Sequence, residues 1–222
     1  MDQRLKFLYD PSGEFNFIPI PEGEDFLELI DHFRKMENRL RIITAAPGTI
    51  TVSVDIKHLR ALINALLSWF DFNKSQKKDV QKAVETALKK PYQYLEDHKE
   101  QLANRDIGEP VHNLFIIALV DAMQKLGAAV EVDWNTDFET VVWQVSGLAI
   151  PCKIISPQES KAPPLLVPDI LRRLGKEIMA QGATLTTIDI DTDSYVLTVV
   201  PSTRYKKVVE LAKKAGIKID RF

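Results

Sequence analysis

Three aspartates at alternating positions, Asp189, Asp191 and Asp193 in TIDIDTDSY, form the densest acidic feature of the 222-residue chain. On a strand, that spacing sets carboxylates on one face, an oxygen-rich surface of the kind that a hard cation such as Ca2+ or Mg2+ takes. A calcium loop does not fit. Counted from Asp189, Ser194 holds the sixth position, where the sharp turn needs glycine, and Val200 holds the twelfth, where a bidentate glutamate belongs. The preferred reading is a polar hairpin turn in which aspartate carboxylates accept from nearby backbone amides. Were the three to converge as metal ligands, with Asp133 brought alongside by strand pairing, their chemistry would be that of a metal-dependent hydrolase or nucleotide-acting enzyme.

Other reactive side chains are isolated. His32, His58, His98 and His112 lack the paired spacing that opens a zinc site. Each is expected to be structural, His32 and His98 as solvated helix residues and His58 and His112 in first turns of helices. Cys152, in IPCKII, has no glycine turn or helix start beside it to expose and acidify a thiol, so a buried, inert thiol is expected. There is no GxSxG elbow and no GxGxxG or GxxxxGK[ST] loop, and nine glycines are too scattered to cradle a phosphate. No catalytic residue and no cofactor is assigned. Residues for contact are easier to nominate. Trp134 and Trp143 flank a predicted loop near Asp133 and Asp137, and an aromatic pair rimmed by carboxylates could line a groove for a peptide or a sugar. Core packing is the commoner use of tryptophan and is the reading favoured for both. Phe15 and Phe17 are the other candidates for ligand or partner contact.

The elements that must position these residues follow from periodicity. Residues 1–22 carry Pro11, Pro19 and Pro21 among aromatic residues and read as an extended N-terminal arm, since proline fixes φ and lacks a donor. From Gly23 a helical stripe of Phe26, Leu29, Ile30 and Phe33 begins, and alternating runs then predict a β-hairpin near 40–54 around Pro47 and Gly48. Helices are expected over 56–70, 75–89, 92–104 and 110–126. The last of these leaves no polar face through two turns and is the candidate central core helix. Beyond it, 128–134 reads as a strand, 138–145 as helix or strand, and 150–155 as a short strand before a proline-rich loop at 157–168. A helix at 169–180, a hairpin of 184–190 with 195–200, a helix at 203–215 and a strand at 217–220 complete the chain. This order predicts an α+β fold: an antiparallel or mixed sheet with helices packed on one face, joined to a helical N-terminal half that carries the β-hairpin. Residues 23–105 form the mainly helical region and 106–222 the α+β domain, with the two readable as one continuous domain.

Composition narrows the class. Lys and Arg number 29 against 31 Asp and Glu, leaving a formal net charge of −2. Six lysines lie between Lys74 and Lys90, and Lys206, Lys207, Lys213 and Lys214 fall on another helix. Solvated helix faces account for both groups, and with a pI near 6.1 nucleic acid is not the expected partner. The longest apolar run, LFIIALV, has seven residues, against ~20 needed to cross a bilayer. No membrane association is expected, and with a single cysteine the location expected is cytoplasmic.

Two stretches, ALVDAMQKLGAAVEVDWNTDFETVVWQV and TTIDIDTDSYVLTVVPSTRYKKVVELAKKAGIKI, resemble a bacterial family known only as a domain of unknown function. The resemblance covers residues 110–222, and the N-terminal half departs from it. It implies an intracellular α+β domain without established catalytic residues. With the usual catalytic devices absent and candidate contact residues present, the expected function is non-enzymatic: binding of a protein partner, a second copy of the chain or a small ligand. The alternative is the metal-dependent enzyme built on the three aspartates. Deleting residues 1–19 is expected to leave a folded body with altered association. Sedimentation velocity and near-ultraviolet circular dichroism would check this, and a molten truncated chain would mean that the arm is core instead.

Overall fold

The computed structural model describes residues 54–149 and 166–222. The expected arm with Phe15 and Phe17, the first helix, His32, the 150–155 strand and Cys152 lie outside the described residues. So do the 40–54 hairpin up to Val54 and most of the proline-rich loop.

Asp55 opens α1 (Ile56–Leu66), its carboxylate accepting from the amides of Lys57 and His58, and Leu59, Leu62, Ile63 and Leu66 form its buried stripe. A 3₁₀ turn, Leu67–Trp69, follows. α2 (Lys74–Lys89) starts at a capping box in which Asn73 and Gln76 each bond the other's backbone amide. The single helix expected over 92–104 is two, α3 (Pro91–Asp97) and α4 (Lys99–Ala103). The break has a local cause. The His98 ring stacks on Tyr94 at 4.0 Å, and its Nδ1 lies 3.0 Å from the Tyr94 carbonyl oxygen, which the His98 amide would claim in a continuing helix. That amide bonds Leu95 instead.

α5 (Leu114–Lys125) is buried on nearly every side, as its apolar run predicts, but starts four residues later than expected. Asn113 stands at the N-cap without a side-chain cap bond, its Nδ2 donating to the Ile190 carbonyl at 2.7 Å, and His112 sits before the helix and not in its first turn. α5 ends in a Schellman arrangement: Ala128 N–H donates to Met123 O, Gly127 N–H donates to Gln124 O, and Gly127 takes φ 69°. The chain then passes directly into β1 (Val130–Val132). The ambiguous 138–145 segment is a helix, α6 (Phe138–Ser146). α7 (Val167–Ala180) begins two residues earlier than expected, with Pro168 in the first turn, where its missing N–H costs no hydrogen bond. β2 (Ala183–Ile188) and β3 (Tyr195–Pro201) form the expected hairpin. α8 (Tyr205–Lys214) then leads through Gly216 into β4 (Ile219–Arg221).

The sheet is antiparallel throughout, in the order β1-β3-β2-β4. With eight α-helices among the described residues, the fold is α+β. One expectation is corrected: helices cover both faces. Ile188, Val196 and Val200 join α1, α5 and α8 in one apolar cluster, while Leu185, Leu197 and Val199 join α6 and α7 in a second. Alternation in β2 and β3 thus feeds two cores, so almost every residue of both strands is buried. Thr186 and Thr198 are tolerated inside because their hydroxyls donate to the Thr198 and Ala128 carbonyls, at 3.1 and 2.7 Å. No helix among the described residues is long and apolar enough to cross a membrane.

Where α7 passes Phe222, a Cβ built on Gly175 would lie 2.7 Å from the Phe222 oxygen. A mid-helix glycine costs about 1 kcal/mol relative to alanine, and here it leaves room for that close crossing. Gly175→Ala should therefore lower stability by about 1–3 kcal/mol in urea unfolding. A gain would show that Phe222 has no fixed seat on α7.

Candidate functional site

β1 and the end of α6 enclose a groove of ≈ 500 Å³, lined by Gln124, Val130, Glu131, Trp143, Gln144 and Gly147 among others. Asp137 caps α6, accepting from the Thr140 amide at 2.9 Å and from its hydroxyl at 2.8 Å. Val141, Val142 and Val145 are the face that α6 buries, which turns Trp143 outward. At 75 % exposed, Trp143 is a wall of the groove, and the expectation that it packs in the core is corrected. Trp134 is 58 % exposed in the loop after β1 and does not line this groove. The two tryptophans are therefore both surface residues but not one aromatic pair around this cavity.

Of the lining residues, Glu131 is tightly held by polar neighbours behind the groove. Arg105, in the turn after α4, donates from Nη1 to Glu131 Oε1 at 2.9 Å and from Nη2 to Oε2 at 2.5 Å. The Ser194 hydroxyl donates to Oε1 at 2.5 Å and the Gln124 amide to Oε2 at 3.4 Å. Burial pushes the Glu131 pKa up, but the hydrogen bonds from Arg105 and Ser194 together outweigh it and hold the carboxyl below its ordinary value. Behind it stands Asp121, only 3 % exposed, with Oδ1 3.2 Å from Arg105 Nη2 and Oδ2 buried without a hydrogen-bond partner. Here burial wins over the attraction of Arg105, and the Asp121 pKa is raised. Burial, reinforced by the charge of Asp121, also raises the pKa of the Tyr94 phenol.

The three aspartates of the hairpin do not converge. Asp189 Oδ1 accepts from the Asp191 amide at 2.9 Å and its Oδ2 pairs with Lys218 at 3.2 Å, which is the polar-turn arrangement. Asp191 adopts φ 64° and lies 3.5 Å from His112, while Asp193 stays exposed. Among the described residues no three His, Cys, Asp or Glu side chains are grouped to hold a metal ion. His58 bonds its own helix cap, Asp55, at 2.7 Å, and the lysines of α8 are exposed. Asp133 accepts from the Asn135 amide.

Periodicity misses the Arg105, Asp121 and Glu131 cluster. One signal existed: Asp121 is the single charge inside LFIIALVDAM, and a lone acid in an enclosed helix needs a cationic neighbour. Nothing in the spacing names Arg105 as that neighbour.

Compared with known families, residues 59–222 match the pattern described as a domain of unknown function (DUF6630). The resemblance seen from 110 onward thus extends upstream through α1 to α4, and that part of the N-terminal half does not depart from it. No curated protein and no solved structure matches the chain.

The two carboxyls should leave opposite marks on stability against pH. The contribution of Asp121 is fully present below its unfolded value of 3.8 and is lost as pH rises through its raised folded value. Asp121→Asn should thus gain about 1 kcal/mol at neutral pH and flatten that loss. Glu131 contributes above its unfolded value of 4.5, and its contribution is lost as pH falls through the lowered folded value. Glu131→Gln should cost about 2–3 kcal/mol at neutral pH, with the gap closing in acid. Urea unfolding at a series of pH values checks both, and curves parallel to that of the unaltered protein would refute the assignment.

Proposed function

The chain belongs to the DUF6630 family, a domain of unknown function, and from the groove beside β1 we propose that it is a non-enzymatic, cytoplasmic binding protein. Its ligand is a segment of a partner protein or a small molecule held against Trp143. The observation that carries this reading is the exposure of that indole on the wall of a ≈ 500 Å³ groove. A large rigid aromatic side chain left in solvent beside a concavity is what binding hot spots are made from.

The state of Glu131 supports binding over reaction. A general acid or base needs a proton that can come and go near the working pH. Glu131 is held ionised with Arg105, Ser194 and Gln124 on its oxygens, so it offers a fixed polar surface and not a proton shuttle. The rival, an enzyme using Asp189, Asp191 and Asp193, gains no support from a turn in which Asp189 is committed to Lys218 and to the Asp191 amide.

A thermal-shift panel of metals, nucleotides, sugars and short peptides tests the proposal. A ligand at a hundredfold its dissociation constant adds ~2.7 kcal/mol of stability. At this chain length that raises the melting point by roughly 5–11 °C. Trp143→Ala should leave the unliganded melting point almost unchanged, since the side chain is exposed, and should weaken binding by about 2 kcal/mol. A hit whose shift is the same in the variant would remove the groove from the function.

A further inference from the structure

We propose that α1, α2 and α8 together form one basic surface that holds double-helical nucleic acid by its phosphates, without reading base sequence. This goes beyond the groove beside β1. The formal charge of −2 conceals a division within the chain. Across 55–90 and 202–215, which carry these three helices, Lys and Arg number 13 against 5 Asp and Glu, a balance of +8. Over the other described residues they number 8 against 16, a balance of −8. A near-neutral total therefore says nothing about the field over either part.

The two lysine-rich helices share a surface because α1 lies between them. Residues two apart in a helix stand about 200° apart around its axis. His58 and Arg60 thus leave α1 on opposite flanks. On one flank, Arg60 Nε donates to Glu85 Oε1 of α2 at 2.5 Å, and Asn64 accepts from Gln81 of α2 at 3.1 Å. On the other stands Glu210 of α8. The hydrogen bond and charge of Lys214 hold that carboxyl below its ordinary value, with smaller contributions from Lys207 and His58, so His58 lies toward α8. α1 packs against both helices. Exposed Lys57 stands between the two flanks, on the outward ridge.

The flanking ridges are built of lysine. Lys74, Lys78 and Lys82 recur every four residues on α2, about 6 Å apart along its axis, and Lys89 falls on the same stripe. α8 presents Lys206, Lys207, Lys213 and Lys214. All eight are exposed. The acids on these ridges are already engaged, Glu85 with Arg60 and Lys89, and Glu210 with Lys214. Ammonium groups in rows position a phosphate backbone and carry no sequence information. Single strands are held by stacking their bases on aromatic side chains. α1 and α2 contain no Phe, Tyr or Trp, and Tyr205 of α8 is half-buried against the core. A bilayer would need apolar side chains to enter it, whereas the apolar stripes of all three helices are buried in the protein. A duplex backbone is the polyanion that remains.

Fluorescence anisotropy on the full chain tests this, with labelled DNA and RNA duplexes of about two helical turns and of two unrelated sequences. Affinity should not depend on sequence. Between about 50 and 200 mM salt it should fall with a log–log slope near −4.5, the mark of about five neutralised phosphates. Lys78→Glu with Lys82→Glu on α2, and separately Lys207→Glu with Lys213→Glu on α8, should each weaken binding roughly tenfold or more and make the slope shallower by about 2. All four side chains are exposed, so the melting point should hold in both variants. Lys176→Glu, an exposed change on α7, should leave binding unaltered. Failure of the full chain to bind either duplex at the lower salt would overturn the proposal. Binding that one of the two double variants leaves intact would show that the ridges are not one surface. Tighter binding of a single strand, or capture of phosphatidylserine vesicles without the duplex, would overturn the class of partner.

Discussion

A helix without a polar face must be enclosed on every side, and α5 imposes that demand on the rest of the chain. Its residues from Leu114 to Val120 are all buried. One side is closed by Ile188, Val196 and Val200 of the sheet, and the remainder by helices that share the same cluster. The sheet then has a second apolar face of its own, which α6 and α7 cover. Everything at the groove follows from these placements. β1 begins where α5 stops at Gly127, so Glu131 arrives beside Gln124 and in front of Asp121.

Two carboxylates and one guanidinium share that corner. Arg105 serves Glu131 with a bidentate pair and Asp121 with a single longer bond, so the low-dielectric surroundings settle the two acids differently. The better-bonded one keeps its charge, and the deeper one is pushed toward neutrality. Neutralising Asp121 leaves Arg105 and Glu131 as a balanced pair, which is the arrangement in which buried charge is least costly. The cluster thereby fastens α4, α5, β1 and the β2–β3 turn to one another through polar atoms, at a point where the apolar clusters thin out toward the groove.

Much of this was legible beforehand, for reasons that differ by element. The stripe of Leu59, Leu62, Ile63 and Leu66, the enclosed run of α5 and the hairpin of β2 and β3 all follow from periods of 3.6 and 2. Gly127 and Gly216 announce helix ends because their positive φ is inexpensive only for glycine. What failed to show was tertiary. His98 breaks a helical pattern by taking a carbonyl that no periodicity reveals as available. Trp143 is exposed only because three valines of α6 claim the other side, and a valine-rich segment reads equally well as helix or strand. Helices lie on both faces of the sheet because alternate residues of β3 enter different clusters, a division that an apolar run in sequence does not reveal. Arg105 and Glu131 stand far apart in sequence, and a single acid in an apolar run calls for a partner without identifying it.

The ladder between β1 and β3 joins only three residue pairs, Val130 with Leu197, Glu131 with Val196 and Val132 with Tyr195. Those pairs close the long span of chain that runs from Val132 to Tyr195, whereas β2 and β3 are joined across a tight turn and β4 follows α8 at once. Closing a long loop exacts its entropy before any of its contacts form. The hairpin with α7 and α8 is thus the portion able to nucleate early, and β1 docks last. Held by so short a ladder, β1 should exchange its amide hydrogens faster than the central strands β2 and β3.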